Sequence, residues 1–147
     1  MAVDTPSNTV ASPTPDTTPT LPFSTVPPTP AAEGAVLASV QGHWDAIRDH
    51  RFEEAYAYLG PNLATGQSAW VSSHQRDLIS DVQYHFIVRD VNGDVATVDV
   101  QKLQTRAQSA QSSANPEGCL IWTGTYVLIK QGDRWVINQA NVASRPC

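Results

Sequence analysis

The first thirty residues are so rich in proline and threonine that they confine folding to the rest of the chain. From Met1 to Pro30 the sequence has eight prolines and eight threonines, with few large apolar side chains. Such a tract buries too little apolar surface to offset the entropy lost on ordering, and proline favours an extended polyproline-II conformation. We therefore predict a disordered Thr/Pro-rich stalk or linker over residues 1–30 and one folded domain over residues 31–147.

The charge of the folded domain argues against two classes of partner. The whole chain carries −5, and Asp4 and Asp16 in the stalk account for two of those charges, which leaves −3 for the domain. A mildly acidic domain without a basic stripe does not favour nucleic acid or an anionic membrane surface. No apolar run approaches the roughly 18 residues of a membrane span.

The two cysteines, Cys119 and Cys147, fall close together if the last two strands pair as a hairpin. Gly132-Asp133 is a turn signal between two strand-like segments. With that turn as the loop, Cys119 lies opposite Pro146, and a shift of one residue brings the cysteines together. We predict a Cys119–Cys147 disulfide and an oxidising, extracytoplasmic compartment. The alternative is a pair of unrelated buried thiols.

The first half of the domain has the apolar spacing of helices. Residues 31–59 predict a helix with a short break at 49–51, and Gly60-Pro61 ends it because proline cannot continue the hydrogen-bond ladder. Residues 66–80 predict a third helix. The apolar side chains that recur on one helical face of the first segment are Val36, Val40, Trp44 and Ile47.

The second half has the alternation of strands. Asn92-Gly93 and Gly132-Asp133 are hairpin turn signals, and residues 108–118 form a polar loop between the two hairpins. Helices followed by antiparallel strands define an α+β fold, with three N-terminal helices packed on one face of a sheet of about four strands. The four predicted strands span residues 81–91, 94–104, 119–130 and 134–143.

The predicted strand faces combine large apolar groups with polar ones. In the first hairpin Phe86 is predicted to oppose Asp99, and in the second Trp122 shares a face with Gln139 and Asn141. That mixture fits a partly filled pocket, although aromatic side chains more often fill a core. The possible pocket-lining residues are Trp44, Tyr56, Tyr84, Phe86, Asp99, Trp122, Tyr126, Gln139 and Asn141.

The histidines do not form a metal-binding pattern. His43, His50, His74 and His85 include no i,i+4 pair and have no clustered cysteine or carboxylate beside them. The sequence also has no glycine-rich phosphate loop and no Ser/His/Asp arrangement. We therefore predict no metal and no cofactor, and surface or packing roles for these histidines.

Several segments of the domain resemble the NTF2-like (cystatin-like cone) superfamily. His43–Ile47 and Phe52–Pro61 look like the opening helices of that group, and Trp70 fits the helix that follows. Tyr126–Ile129 and Gly132–Ile137 look like its closing hairpin, in which a Gly-x-x-Trp-x-Ile motif is common. The resemblance covers the whole folded domain and implies an NTF2-like cone, a fold that hosts many functions.

The combination of stalk, terminal cysteine and cone most resembles the extracytoplasmic domains of actinobacterial Ser/Thr kinases and envelope proteins. That resemblance implies a non-catalytic, sensor-like domain whose partner is an unknown small molecule or an envelope protein. It defines no catalytic residues, so none is assigned. On this view Met1 is not the natural start, and a membrane anchor, lipobox or signal peptide lies upstream.

Two alternatives stay open from the sequence. The first is a small enzyme of the isomerase or cyclase type found in this superfamily, with Asp99 as general base and Tyr84 as its hydroxyl partner. An apolar wall would raise the pKa of such an acid. The opposing interpretation is that Asp99 faces solvent on an alternating strand. The second alternative is a structural module that forms a homodimer through its sheet.

Overall fold

The computed structural model describes residues 30–147, so the predicted stalk lies outside the described residues except for Pro30. Helices precede strands, and one four-stranded antiparallel sheet has the order β1-β2-β3-β4, which confirms the predicted α+β class. Within the described range no helix is long and apolar enough to cross a membrane. The elements are α1 (Pro30–Arg48), α2 (Phe52–Tyr56), α3 (Gln67–Asp77), β1 (Ile79–Asn92), β2 (Val95–Ala107), a 3-10 turn (Gln108–Ala110), β3 (Cys119–Gln131) and β4 (Arg134–Pro146).

The core forms where α1 lies across the inner face of the sheet. Val36, Val40 and Ile47, which share one side of α1, are fully buried, as the helical spacing predicts. They belong to one apolar cluster with Val98 of β2 and Leu128 of β3. Because each buried aliphatic side chain contributes roughly 1.5–3 kcal/mol, this layer fixes the helix on the sheet.

The turn of the first hairpin lies one residue later than its strongest sequence signal. Asn92 pairs with Val95, so the two loop residues are Gly93 and Asp94 rather than Asn92 and Gly93. Gly93 has φ +62°, a conformation that glycine adopts without the penalty a side chain would bring. The predicted turn position is therefore wrong by one residue.

A β-bulge in β1 changes which residues face each other across the first hairpin. Val88 pairs with Val98 but Asp90 pairs with Thr97, which leaves Arg89 as an extra residue. Asp99 pairs with Ile87, whereas Phe86 pairs with Val100 and Tyr84 with Leu103. Residues 96, 98 and 100 of β2 are buried on the inner face, so Asp99 belongs to the outer face. The prediction that Phe86 opposes Asp99 is wrong, because a shift of one residue moves a side chain to the other side of the sheet.

A β-bulge interrupts the second hairpin. Leu128 pairs with Ile137, but Val127 pairs with Gln139, so Asn138 is an extra residue in β4. At the same place residues 58–60 join the free edge of β4. Gly60 N–H donates to the Ile137 carbonyl at 2.6 Å, and Ile137 N–H donates to the Tyr58 carbonyl at 2.8 Å.

The bulge has two consequences farther along β4. It supplies the one-residue shift that the cysteines require, and the Cys119–Cys147 disulfide is present with a Cα–Cα distance of 5.5 Å, as predicted. It also moves Gln139 and Asn141 to the outer face, where both are exposed. The prediction that these two polar residues share a face with Trp122 is wrong for that reason.

Candidate functional site

A cavity of about 250 Å³ lies between the helices and the inner face of the sheet. Trp44 of α1, His74 and Asp77 of α3, Thr105 of β2 and Trp122 of β3 contribute its larger polar and aromatic side chains. The rest of the wall is small or aliphatic and comes from Ile79, Ala107, Ser109, Ala110 and Leu120. Five separate elements and the 3-10 turn thus meet at one concave site.

Two indole rings form the aromatic part of the wall, and both are held by hydrogen bonds. Trp122 Nε1–H donates to Thr105 Oγ1 at 3.2 Å, and Trp44 Nε1–H donates to the Tyr126 hydroxyl at 3.2 Å. Tyr126 is buried, and burial raises its pKa to about 12, so the phenol stays neutral. Because protein groups occupy both indole N–H donors, the tryptophans present ring surface to the cavity.

The polar part of the wall comes from the end of α3. His74 Nδ1–H donates to the Trp70 carbonyl at 2.9 Å, and the imidazole stacks on the Trp70 ring with centroids 3.8 Å apart. A carbonyl can only accept, so Nδ1 carries a proton and Nε2 is left for another partner. The helix ends at Asp77 because Leu78 adopts a left-handed conformation with φ 51°.

His43 lies behind this wall and has a packing role. Its Nδ1–H donates to the Ala55 carbonyl at 2.8 Å, and its ring contacts those of Trp44 and Trp70. Burial lowers the pKa of His43 to about 4, and the nearby His74 adds to that effect. The imidazole is therefore neutral at physiological pH and ties α1 to α2.

Two of the predicted pocket tyrosines hold the helices in place and do not line the cavity. The Tyr56 hydroxyl accepts the Gly66 N–H at 2.9 Å, and its ring packs on Trp70. The Tyr84 hydroxyl donates to the Asp45 carboxylate at 2.8 Å, and its ring stacks on Phe86. Burial and the Asp45 charge raise the pKa of Tyr84. Phe86 is itself part of the core.

Asp99 has a different environment from the one the enzyme alternative requires. It lies on the outer face, where Arg89 Nε–H donates to its Oδ2 at 3.3 Å and Nη2 of the same guanidinium faces Oδ1. Tyr84 lies on the inner face and bonds Asp45. The structure therefore does not bring Asp99 and Tyr84 together, and it leaves Gln139 and Asn141 outside as well.

Sequence reasoning identified Trp44 and Trp122 but missed the polar members of the cavity. His74 and Asp77 are three residues apart near the end of α3, and that spacing is the one local signal of a shared site. Thr105 and Ser109 carry no signal, because only the folded sheet brings them to the helices. Among residues 30–147 no group of three or more His, Cys, Asp or Glu side chains could hold a metal ion.

Comparison with solved structures identifies the fold of this chain. No protein-family model and no curated protein matches the sequence. A ketosteroid isomerase-like protein from Erwinia carotovora atroseptica matches with a TM-score of 0.55 and 10% identity, over 74% of this chain and 92% of the other. A scytalone dehydratase-like protein from Novosphingobium aromaticivorans matches with a TM-score of 0.53 and 15% identity, over 76% and 83%.

A third solved structure widens the range of roles among these matches. It resembles a calcium/calmodulin dependent protein kinase II association domain, comes from Xanthomonas campestris, and has a TM-score of 0.50 with 12% identity over 74% of this chain and 83% of the other. All three identities are too low to carry an activity. The helix-then-sheet order and these likenesses establish the NTF2-like cone as the fold of this chain.

Proposed function

We propose that this domain is a non-catalytic ligand-binding domain that works outside the cytoplasm, with the cavity between Trp44 and Trp122 as its binding site. The observation that carries the proposal is a preformed concave site whose aromatic walls are fixed by hydrogen bonds. Aromatic walls with a few convergent polar groups are the usual composition of small-molecule sites. The Cys119–Cys147 disulfide supports an oxidising compartment.

The arrangement of titratable groups supports binding over catalysis. Asp99 pairs with Arg89 on the outer face, and Tyr84 bonds Asp45 away from the cavity. Within the cavity, a stacked imidazole and a single carboxylate lie at the end of one helix. On this proposal residues 1–30 tether the folded domain. The domain acts as the sensor of a membrane kinase or as the body of an envelope lipoprotein.

Filling the cavity is expected to abolish ligand binding. Ala110 lines the cavity, so Ala110→Phe would place a ring in the space that a ligand needs. With 2-naphthol as a neutral two-ring probe, we expect the indole N–H NMR signals of Trp44 and Trp122 to shift in the wild type while that of Trp135, in the core near the β3–β4 turn, stays in place. In Ala110→Phe the affinity should fall at least about tenfold, roughly 1.4 kcal/mol.

Ala143→Phe is the matched control for that experiment, because Ala143 is exposed on β4, pairs with Thr123 and does not line the cavity. It should bind 2-naphthol as the wild type does. Equal binding by Ala110→Phe, or shifts spread over every tryptophan, would contradict the proposed site.

Self-association through the outer face is a second candidate role, supported by two exposed aliphatic side chains. Ile87 is 43% exposed and Val95 46% exposed, on neighbouring strands of that face. Exposed apolar patches are a frequent feature of protein contact sites. We expect a dimer in sedimentation experiments and a monomer for Ile87→Lys, with Gln83→Lys on the same strand as control. A monomeric wild type at its highest soluble concentration would exclude this role.

A further inference from the structure

The cavity has an anionic group without a protein partner. Asp77 lines the cavity, and its carboxylate makes no hydrogen bond or ion pair with any other residue in the range 30–147. His74 adds a ring nitrogen, because its Nδ1–H is committed to the Trp70 carbonyl and Nε2 is left for a ligand. A ligand would therefore find acceptors at this end of the site.

Helix α3 adds negative potential at the same place. It has 11 residues and ends at Asp77, so its last carbonyl groups lie beside the cavity. The aligned peptide dipoles of a helix give its C-terminus about half a negative charge, which stabilises cations. The carboxylate and the helix end thus favour the same sign of ligand charge.

Among residues 30–147, basic side chains other than His74 stay outside the cavity wall, and Arg76, which lies in the last turn of α3 beside Asp77, is exposed. In the described part of the chain, neither lysine nor arginine lines the cavity. Arg106 follows Thr105 in β2, but it belongs to the outer face and pairs with Asp81 at 2.8 Å and Glu117 at 3.2 Å. A carboxylate or phosphate ligand would meet the Asp77 charge without a lysine or arginine in the cavity wall to offset it.

The aromatic wall suits an organic cation in particular. Trp44 and Trp122 present ring surface, since protein acceptors take both N–H groups. Tryptophan is the side chain whose ring attracts cations most strongly, and aromatic walls beside a carboxylate are used to bind ammonium groups. At an interior packing density of about 0.74, a cavity of about 250 Å³ accommodates a small molecule rather than a drug-sized one.

We propose that the ligand is a compact organic cation, an amine or quaternary ammonium on one aromatic ring or a short alkyl chain. Its charged group lies beside Asp77 and its apolar body between Trp44 and Trp122. This inference rests on the proposed function, because it names the class of ligand for the same cavity.

A cation and its uncharged isostere test the charge preference directly. Phenyltrimethylammonium and tert-butylbenzene have almost the same shape and differ in one unit of charge, and benzoate supplies the opposite charge. In the wild type at neutral pH and low ionic strength, we expect the cation to bind at least tenfold more tightly than tert-butylbenzene, and benzoate more weakly than either. The readout is the shift of the Trp44 and Trp122 indole N–H signals during titration.

The variant Asp77→Asn tests whether the preference for the cation depends on the Asp77 carboxylate. It should weaken binding of phenyltrimethylammonium about tenfold and leave tert-butylbenzene unchanged. Asp94→Asn, an exposed position in the β1–β2 turn, is the matched control and should preserve the preference. The wild-type comparison of the three probes decides the question even where a variant folds poorly.

The results of these titrations distinguish a failure of this inference from a failure of the proposed function. Equal affinity for the cation and its isostere, or tighter binding of benzoate, overturns the assignment of a cationic ligand while the binding site stands. An unchanged preference in Asp77→Asn overturns the placement of the charged group beside Asp77. If 2-naphthol and all three probes leave the Trp44 and Trp122 signals unmoved, the proposed function itself fails.

Discussion

Replacing both cysteines with serine lowers the free energy of unfolding by about 3.5 kcal/mol. Cys119 and Cys147 are 28 residues apart in sequence, and a cross-link over a loop of that length removes roughly this much conformational freedom from the unfolded chain. Because Cys147 directly follows β4 and Cys119 begins β3, the bond also holds the end of β4 against the start of β3. Urea unfolding of Cys119→Ser/Cys147→Ser beside the wild type measures the difference.

Reduction provides the matched comparison for the disulfide prediction. The wild type in excess dithiothreitol should unfold at the same urea concentration as the double serine variant, and the variant should not respond to dithiothreitol. A difference below about 1 kcal/mol between oxidised and reduced protein would show that the hairpin already restrains the unfolded chain by other means.

Acidification from pH 6.5 to 4 should cost about 3 kcal/mol of stability through His43 alone. Burial lowers the pKa of this imidazole from 6.5 to about 4 in the folded state, and each unit corresponds to about 1.4 kcal/mol. The unfolded chain therefore binds a proton in this window that the folded protein does not. Above pH 6.5 His43 costs no stability, because it is neutral in both states. The loss of stability grows as the pH falls below 6.5 and levels off below about pH 4.

His43→Asn isolates that contribution, because an asparagine amide can still donate to the Ala55 carbonyl but does not titrate. Urea unfolding at pH 7 and pH 4.5 should show a smaller loss of stability for this variant than for the wild type. His85→Asn, at an exposed position of β1, should lose as much as the wild type does. Equal pH dependence in all three proteins would mean that His43 accepts a proton without unfolding.

The second hairpin shows how far local sequence predicts this fold. The Gly132-Asp133 turn and the alternation on either side place Gln131 opposite Arg134, as the structure has them. They also place the two cysteines within one residue of pairing. Turn chemistry and alternation involve near neighbours in the chain, so they can be predicted without knowledge of the packing.

The same reasoning was wrong where a shift of one residue decides the face. The bulge at Arg89 in β1 places Asp99 on the outer face, and the bulge at Asn138 does the same for Gln139 and Asn141. Asn138 lies where residues 58–60 pair with the edge of β4, and its Oδ1 accepts the Asn62 N–H at 3.1 Å. Those contacts join segments more than seventy residues apart, and no residue pattern within β4 alone predicts them.

By itself the sequence determined the order of helices and strands, the α+β class and the pairing of Cys119 with Cys147, because each depends on periodicity or turn residues close together in the chain. Only the tertiary structure decided which candidate residues share a site. Trp44, His74, Asp77, Thr105 and Trp122 come from four separate elements, and they meet because α1 and α3 pack on the inner face of the sheet. Packing between distant segments sets that geometry, since a single bulge or a one-residue register shift moves a side chain from the cavity side to the outside.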